Sequence, residues 1–152
     1  MSIDVKTLVS DDGSEISRKV FTSEEVYKLE KKHIFGKTWL YLAHESQFKK
    51  PGDFVTTYMG ETPVIVAMGD DGEIYASINS CSHRGLPVCR TDMGNSKRFV
   101  CPYHNWSYKP DGELVTVPQE RKVTRPVDKK KNSLRRVPRL ESYRGLYFGC
   151  LD

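Results

Sequence analysis

The chain has 152 residues and a net charge of +4, with 38% hydrophobic and 29% charged residues. These values fit one globular domain with a real core, and they argue against wholesale disorder or two full-sized domains. The longest apolar run, residues 63–68, is far shorter than the roughly 20 residues that a membrane helix needs. The polar N-terminus lacks the apolar centre of a secretory signal, so we expect a cytoplasmic protein without a membrane partner.

The N-terminal part of the chain predicts a single helix. Residues 1 to about 20 are polar and show no periodicity, which predicts a mobile arm. Thr22 and Glu25 have the spacing of a capping box, and helical spacing continues through Val26, Leu29 and Ile34. We therefore predict a helix over about 23–34 that ends at Gly36.

From residue 39 onward, short segments of strand-forming residues alternate with turn signals. The clearest hairpin turns are 69–72 and 109–112, which contain glycine, proline and aspartate. Many short strands at close spacing predict an antiparallel β-sandwich or a small barrel. The predicted strands are 39–43, 54–58, 62–68, 73–78, 98–100, 106–108, 113–117, 134–140 and 146–151.

Two short motifs each combine a cysteine with a histidine: Cys81-Ser-His83 and Cys101-Pro-Tyr-His104. The same four side chains could hold one tetrahedral zinc ion. Zinc fingers, however, usually group two cysteines in one pair and two histidines in the other. Mixed pairs suit a two-iron centre, in which one iron takes both cysteines and the other takes both histidines.

Gly85 and Pro102 lie beside the ligand candidates and suit tight loops whose backbone amides point at bridging sulfides. With these flanks, 81–85 and 101–106 resemble the motifs of the Rieske domain in the large (alpha) subunit of bacterial aromatic-ring-hydroxylating dioxygenases. The resemblance covers about residues 22–152 and includes the segments 35–39, 44–47, 51–54, 63–66 and 141–148.

The resemblance implies a mainly β fold, namely a Rieske-type antiparallel β-sandwich with two cluster-binding loops and a short N-terminal helix. Residues 1–37 would form the arm and helix, and residues 38–152 would form the iron–sulfur domain. A Rieske 2Fe-2S cluster, a one-electron carrier, would be held by Cys81, His83, Cys101 and His104.

The resemblance also implies partners and a place in a larger enzyme. Electrons would come from a ferredoxin or a reductase and pass to a mononuclear non-haem iron, where dioxygen is inserted into an aromatic ring. In the family, that iron lies in the catalytic domain of a neighbouring subunit in a trimer. No histidine follows His104, so we expect this chain to lack that iron site and to hydroxylate nothing alone.

Four residues beside the ligand candidates are expected to modulate the site: Arg84, Gly85, Tyr103 and Trp106. Trp106 would shield the cluster from water or simply pack in the core. Arg84 would contact an acidic partner or form a surface salt bridge. Asn105 stands where the family usually has glycine, so we expect it to crowd the loop or add a hydrogen bond and thereby change the potential.

The remaining cysteines and histidines fit neither motif. Cys89 and Cys150 are expected to be buried structural thiols, His33 to be solvated, and His44 to be packed or hydrogen-bonded. Leu86 and Tyr103 stand near the positions where respiratory-chain Rieske proteins have a disulfide, which favours the oxygenase branch.

Residues 121–139, which we call the basic stripe, hold nine basic residues and one acidic residue, Asp128. The rest of the chain is slightly acidic. We interpret the stripe first as a solvated loop and second as a docking face for an acidic electron donor. Nucleic-acid binding is disfavoured because the stripe has no aromatic residue to stack on bases.

Two alternative functions remain from the sequence. A stand-alone Rieske ferredoxin would carry the same motifs, but it would be expected to lack the helix and arm of residues 1–37. A zinc-binding structural module would use the same four ligands. Colour and electron paramagnetic resonance distinguish zinc from an iron–sulfur cluster.

Overall fold

A computed structural model describes residues 3–122 and 125–152. In this described part, ten strands form three antiparallel sheets, with only short helices beside them, so the mainly β prediction is confirmed. No described helix is long and apolar enough to cross a membrane. The strands are β1 (Leu40–His44), β2 (Asp53–Met59), β3 (Thr62–Met68), β4 (Ile74–Ile78), β5 (Met93–Asn95), β6 (Phe99–Val100), β7 (Ser107–Tyr108), β8 (Leu114–Thr116), β9 (Arg139–Tyr143) and β10 (Leu146–Cys150).

The central sheet has the strand order β4-β3-β2-β5 and is buried on both faces at β3. Val64 and Val66 belong to one buried apolar cluster, whereas Ile65 and Ala67 belong to another. Because successive side chains of a strand point to opposite faces, the two clusters lie on opposite sides of the sheet. This two-sided burial explains why β3 contains the longest apolar run of the chain.

Each face of the central sheet packs against a smaller sheet. The sheet β1-β10-β9 contributes Leu42 and Ala43 to the cluster of Val64 and Val66. The sheet β6-β7-β8 contributes Tyr108 to the other cluster, which also contains all cysteines except Cys150. The two motif loops therefore lie over a single face of the central sheet.

The predicted hairpin turns are present. The Gly72 N–H donates to the Gly69 carbonyl (3.1 Å), and the Gly112 N–H donates to the Lys109 carbonyl (2.9 Å). Gly72 and Gly112 have φ values of +84° and +89°, a left-handed conformation that glycine adopts without steric cost.

The helical segment differs from the prediction in its start and its form. Two α-helices, α1 (Lys19–Thr22) and α2 (Glu24–Glu30), are followed by a π-helical turn, Lys31–Phe35, that ends at Gly36 as predicted. The predicted cap at Thr22 is wrong, because Ser23 caps α2 by accepting from the Val26 N–H. The Thr22 hydroxyl instead donates to the Arg18 carbonyl, within the preceding helix.

The segment before the helices is more structured than a mobile arm. It contains a 3₁₀ helix, Val5–Leu8, and an antiparallel bridge between Val9 and Ile16. Leu8 is buried. This segment carries no periodic pattern, because a single 3₁₀ turn and one bridge pair are too short to produce one.

One strand prediction is wrong, and one strand was not predicted. Of residues 134–140, only Arg139 and Leu140 belong to a strand, β9, which pairs with β10. Leu134 and Val137 are buried, but their N–H groups bond separately to Gly112 and Ala76, and Pro138 has no N–H to donate. Strand β5 was not predicted, because its three exposed residues carry no apolar alternation.

Candidate metal centre

The two cysteine–histidine motifs adopt the same backbone form. The Cys81 N–H donates to the Leu86 carbonyl (2.9 Å), and the Gly85 N–H donates to the Cys81 carbonyl (2.7 Å). In the second loop, the Cys101 N–H donates to the Trp106 carbonyl (2.8 Å), and the Asn105 N–H to the Cys101 carbonyl (2.9 Å). Each cysteine thus closes a tight loop with the residues four and five positions later, after β4 in one case and between β6 and β7 in the other.

The residue four positions after each cysteine has a left-handed backbone. Gly85 has φ +78° and Asn105 has φ +56°. This conformation explains why glycine is favoured at both positions, and asparagine is among the non-glycine residues that tolerate it best. We expected Asn105 to crowd the loop or to add a hydrogen bond. Its side chain forms no hydrogen bond with the described part of the chain, so the second effect is absent.

The two loops place their cysteines inward and their histidines outward. Cys81 and Cys101 are each 2% exposed and lie in one apolar cluster. His83 is exposed and His104 is half-buried, with their ring centroids 4.7 Å apart. The structure therefore brings the two predicted imidazoles together at the surface and buries both predicted thiols beneath.

The donor atoms fit a two-iron centre. Nδ1 of His104 is buried and finds no hydrogen-bond partner among the described residues, so a metal ion would satisfy it. Partial desolvation, followed by the electrostatic effects of His104 and Arg84, lowers the pKa of His83, which favours its neutral, metal-binding form. Among the described residues, no three Cys, His, Asp or Glu side chains converge as a single metal ion requires.

Aromatic rings cover both histidines. Trp106, only 9% exposed, stacks on His83 at 4.9 Å with an interplanar angle of 9°. Tyr103 stacks on His104 at 3.9 Å. Trp106 is thus a core residue, as one of the two interpretations had it, and it also covers one face of the His83 ring.

Arg84 contacts an aromatic ring. Its guanidinium lies 5.7 Å from the centre of the Tyr103 ring and reaches the Tyr103 hydroxyl at 3.4 Å. No acidic side chain in the described ranges lies within salt-bridge distance of it, so the predicted surface salt bridge is wrong. Arg84 therefore leaves its positive charge beside the exposed His83.

Tyr108 is a functional candidate that the sequence reasoning missed. Its side chain is fully buried, and its hydroxyl lies 3.1 Å from Cys81 Sγ while accepting from the Ser82 N–H at 3.2 Å. Burial and the contact with Cys81 raise the pKa of Tyr108 well above its ordinary value, so the phenol keeps its proton. That proton is available to the Cys81 sulfur. One sequence feature could have indicated this role. Trp106 and Tyr108 alternate along the predicted strand 106–108, which places both side chains on one face, and a tyrosine hydroxyl that is buried there needs a hydrogen-bond partner.

Asn79 is a second residue that was missed. Its side chain, which is buried, accepts from the Val88 and Cys89 N–H groups (2.9 and 3.0 Å) and donates to the Cys89 carbonyl (2.8 Å). These three bonds tie the end of the first loop to its beginning. A lone asparagine in the sequence gives no signal of this role.

The other cysteines and histidines behave as expected. Cys89 and Cys150 are buried and unpaired. His33 is exposed, and Nδ1 of His44 accepts from the Ser46 N–H (3.2 Å) at the start of a short 3₁₀ helix.

Two loops of this form on a small antiparallel β scaffold define the class of the protein: an iron–sulfur domain with two cysteine and two histidine ligand candidates. More specifically, the chain belongs to the Rieske [2Fe-2S] domain family, whose sequence model matches residues 38–141. The predicted resemblance is thereby confirmed.

Curated relatives carry a similar sequence within longer proteins. The chain is 42% identical over 149 residues to benzene 1,2-dioxygenase subunit alpha of Pseudomonas putida, covering 98% of this chain and 33% of the relative. It is 41% identical to the large oxygenase component of a naphthalene 1,2-dioxygenase system of Pseudomonas aeruginosa, covering 97% and 33%. The chain therefore spans about a third of the length of these relatives.

Solved structures give the same picture. A naphthalene 1,2-dioxygenase with indole in its active site matches with a TM-score of 0.92 and 40% identity, over 100% of this chain and 34% of that one. A quaternary ammonium Rieske monooxygenase matches with a TM-score of 0.79 and 32% identity, over 88% and 36%. The fold is thus shared by Rieske oxygenases whose substrates differ.

Replacing Tyr108 with phenylalanine should lower the reduction potential of the cluster. The phenol proton stabilises negative charge on the Cys81 sulfur, and that charge is greater in the reduced state. If the hydrogen bond from Tyr108 stabilises the reduced state over the oxidised state by about 1 kcal/mol, its loss lowers the reduction potential by about 40 mV for one electron. Spectroelectrochemical titration measures the shift. Tyr75→Phe, which removes a hydroxyl bonded to Asp71, is the control, and an equal shift in both variants would contradict the assignment.

Proposed function

We propose that this chain is the electron-transfer domain of the large subunit of an aromatic-ring-hydroxylating dioxygenase. Residues 38–152 form that domain, with residues 1–37 as its N-terminal extension. Cys81 and Cys101 hold one iron of the cluster, and His83 and His104 hold the other. The observation that carries the proposal is the pair of matched loops with two buried thiols and two adjacent imidazoles.

The residues of the chain have separate roles in this proposal. A bound [2Fe-2S] cluster supplies reversible one-electron transfer. Cys81 and Cys101 keep the centre inside the apolar cluster, where bulk water is excluded. His83 and His104 extend from it to the surface, where a partner can approach. Tyr103 and Trp106 cover the histidine rings and hold their orientation.

The partners belong to the proposal as well. The curated relatives are named as subunits or components of larger systems, which supports association with other subunits and does not favour a stand-alone ferredoxin. We infer that a ferredoxin or a reductase donates the electron. The acceptor is a mononuclear iron in the catalytic domain of a neighbouring subunit, within a trimer. The substrate is an aromatic compound, and the location is cytoplasmic.

The purified chain should contain about two iron atoms and two acid-labile sulfides, and it should show a Rieske-type electron paramagnetic resonance spectrum. In the His104→Cys variant, this spectrum should be lost even if an iron–sulfur cluster is retained, because one iron then has a thiolate in place of an imidazole. A colourless protein with stoichiometric zinc would refute the proposal. An unchanged spectrum in the variant would show that His104 is not a ligand.

A further inference from the structure

A cleft of about 700 Å³ lies directly beside the first motif loop. One wall consists of the loop residues Ser80, Cys81 and Ser82. The other wall includes Lys130, Lys131 and Arg135, which belong to the basic stripe. Val123 and Thr124, also part of the stripe, lie outside the described residues. The structure thus places the most basic part of the sequence against the loop that carries a ligand candidate.

Hydrogen bonds fix this part of the stripe to the loop. The Ser82 hydroxyl donates to the Ser133 carbonyl at 2.9 Å. The Ser133 hydroxyl donates to the Lys129 carbonyl (2.9 Å) and accepts from the Leu114 N–H (3.0 Å). Leu134, which follows, is buried in the same apolar cluster as Cys81. These contacts do not fit the first interpretation of the stripe as a freely solvated loop.

Two of the nearby acidic residues are paired with cations that do not line the cleft, which leaves an excess of positive charge there. Glu120 pairs with Lys129 (3.0 Å), and Asp111 lies 3.7 Å from Arg136. Asp128 accepts from the Lys131 backbone N–H. Lys130, Lys131 and Arg135 are exposed, and none of their cationic groups lies within salt-bridge distance of an acidic side chain in the described ranges. The cleft therefore presents three cations that form no ion pair in the described ranges, with the Asp128 carboxylate as the one unpaired acid bonded to this segment.

We propose that this cleft docks an acidic surface of the one-electron donor protein. The proposal rests on the proposed function and specifies where the donor binds. One electron leaves the reduced donor, which is oxidised, and reduces the centre beside Cys81 by one electron. His83 and His104 do not line the cleft, so the histidine edge stays free for the acceptor. Opposite charges at such a surface speed the encounter and lose their effect as salt is added.

The test uses the 152-residue chain with its cluster and, as a probe, a reduced plant-type [2Fe-2S] ferredoxin of net negative charge. Such a ferredoxin has a lower potential than Rieske centres, so the transfer is downhill. In the variant K130E/K131E/R135E, the second-order rate constant of reduction at low ionic strength should fall about tenfold or more. Carbodiimide cross-linking to the same ferredoxin, mapped by mass spectrometry, should join its carboxylates to Lys130 or Lys131 of the unmodified chain.

The matched control is K6E/K19E/K32E, which changes the net charge equally through three exposed lysines outside the sheets. Its rate constant should change less than twofold, and reduction by dithionite should be unaltered in both variants. Equal losses of rate in the two variants, or cross-links confined to other lysines, would overturn the docking site and leave the proposed function standing. A chain that binds no cluster would overturn both.

Discussion

Replacing Cys101 with serine should leave the chain without its iron–sulfur cluster. A serine hydroxyl does not ionise near neutral pH, so one iron would lose one of its two thiolates. Apart from Cys81, the nearest cysteine in sequence is Cys89, and its sulfur lies 3.6 Å from the Thr91 carbonyl rather than forming part of either motif. Iron content, visible absorption and the paramagnetic spectrum of the purified variant should all fall to the background level.

Cys89→Ser provides a closely matched control. Cys89 is 7% exposed and belongs to the same apolar cluster as Cys101, so both substitutions place a hydroxyl in a similar buried environment. Its sulfur, however, lies 3.6 Å from the Thr91 carbonyl, which can accept from the serine hydroxyl instead. This variant should keep its full iron content. Loss of the cluster from both variants would indicate general misfolding and contradict the ligand assignment.

Replacing Trp106 with alanine should lower the free energy of unfolding by about 3–5 kcal/mol, the usual cost of removing a large buried aromatic side chain. The indole packs in the apolar side-chain cluster that contains Cys81 and Cys101, and it stacks on His83. Its removal leaves a cavity and opens the covered side of that imidazole to water. Urea denaturation monitored by circular dichroism measures the change, with wild-type and variant samples that have the same iron–sulfur cluster content.

The chain supplies its own control, because Trp39 is the only other tryptophan. Trp39 is 46% exposed and lies just before β1, away from both motif loops. Trp39→Ala should lower the free energy of unfolding by less than about 1 kcal/mol. Equal destabilisation of the two variants would contradict the conclusion that the burial of Trp106 stabilises this part of the fold.

The ligand candidates could be predicted from the sequence because their chemistry is local. Each cysteine lies two or three residues from its histidine, and a tight loop keeps such neighbours together whatever the rest of the chain does. The hairpins around 69–72 and 109–112 were predictable for a similar reason, since glycine there meets a local backbone requirement.

The remaining features depend on contacts between distant segments. Tyr108 reaches Cys81 across 27 residues, and Ser82 reaches Ser133 across 51. Residues 134–140 have the composition of a strand, but the partners of Leu134 and Val137 lie in two different elements, and no ladder forms. Local propensity cannot indicate which distant partner a buried N–H or hydroxyl finds.

The two-sided burial of β3 has a consequence for how the protein is made. Residues 64–68 are uncharged and rich in β-branched side chains, a composition that promotes intermolecular aggregation when it is exposed. In the fold, both edges of this strand are paired, with β2 and β4. Both partners are neighbours in sequence, so short-range hairpins can cover the strand soon after synthesis, before β1 and β10 meet. The yield of folded protein from cells should therefore depend on the two turns that flank β3, well before any iron is inserted.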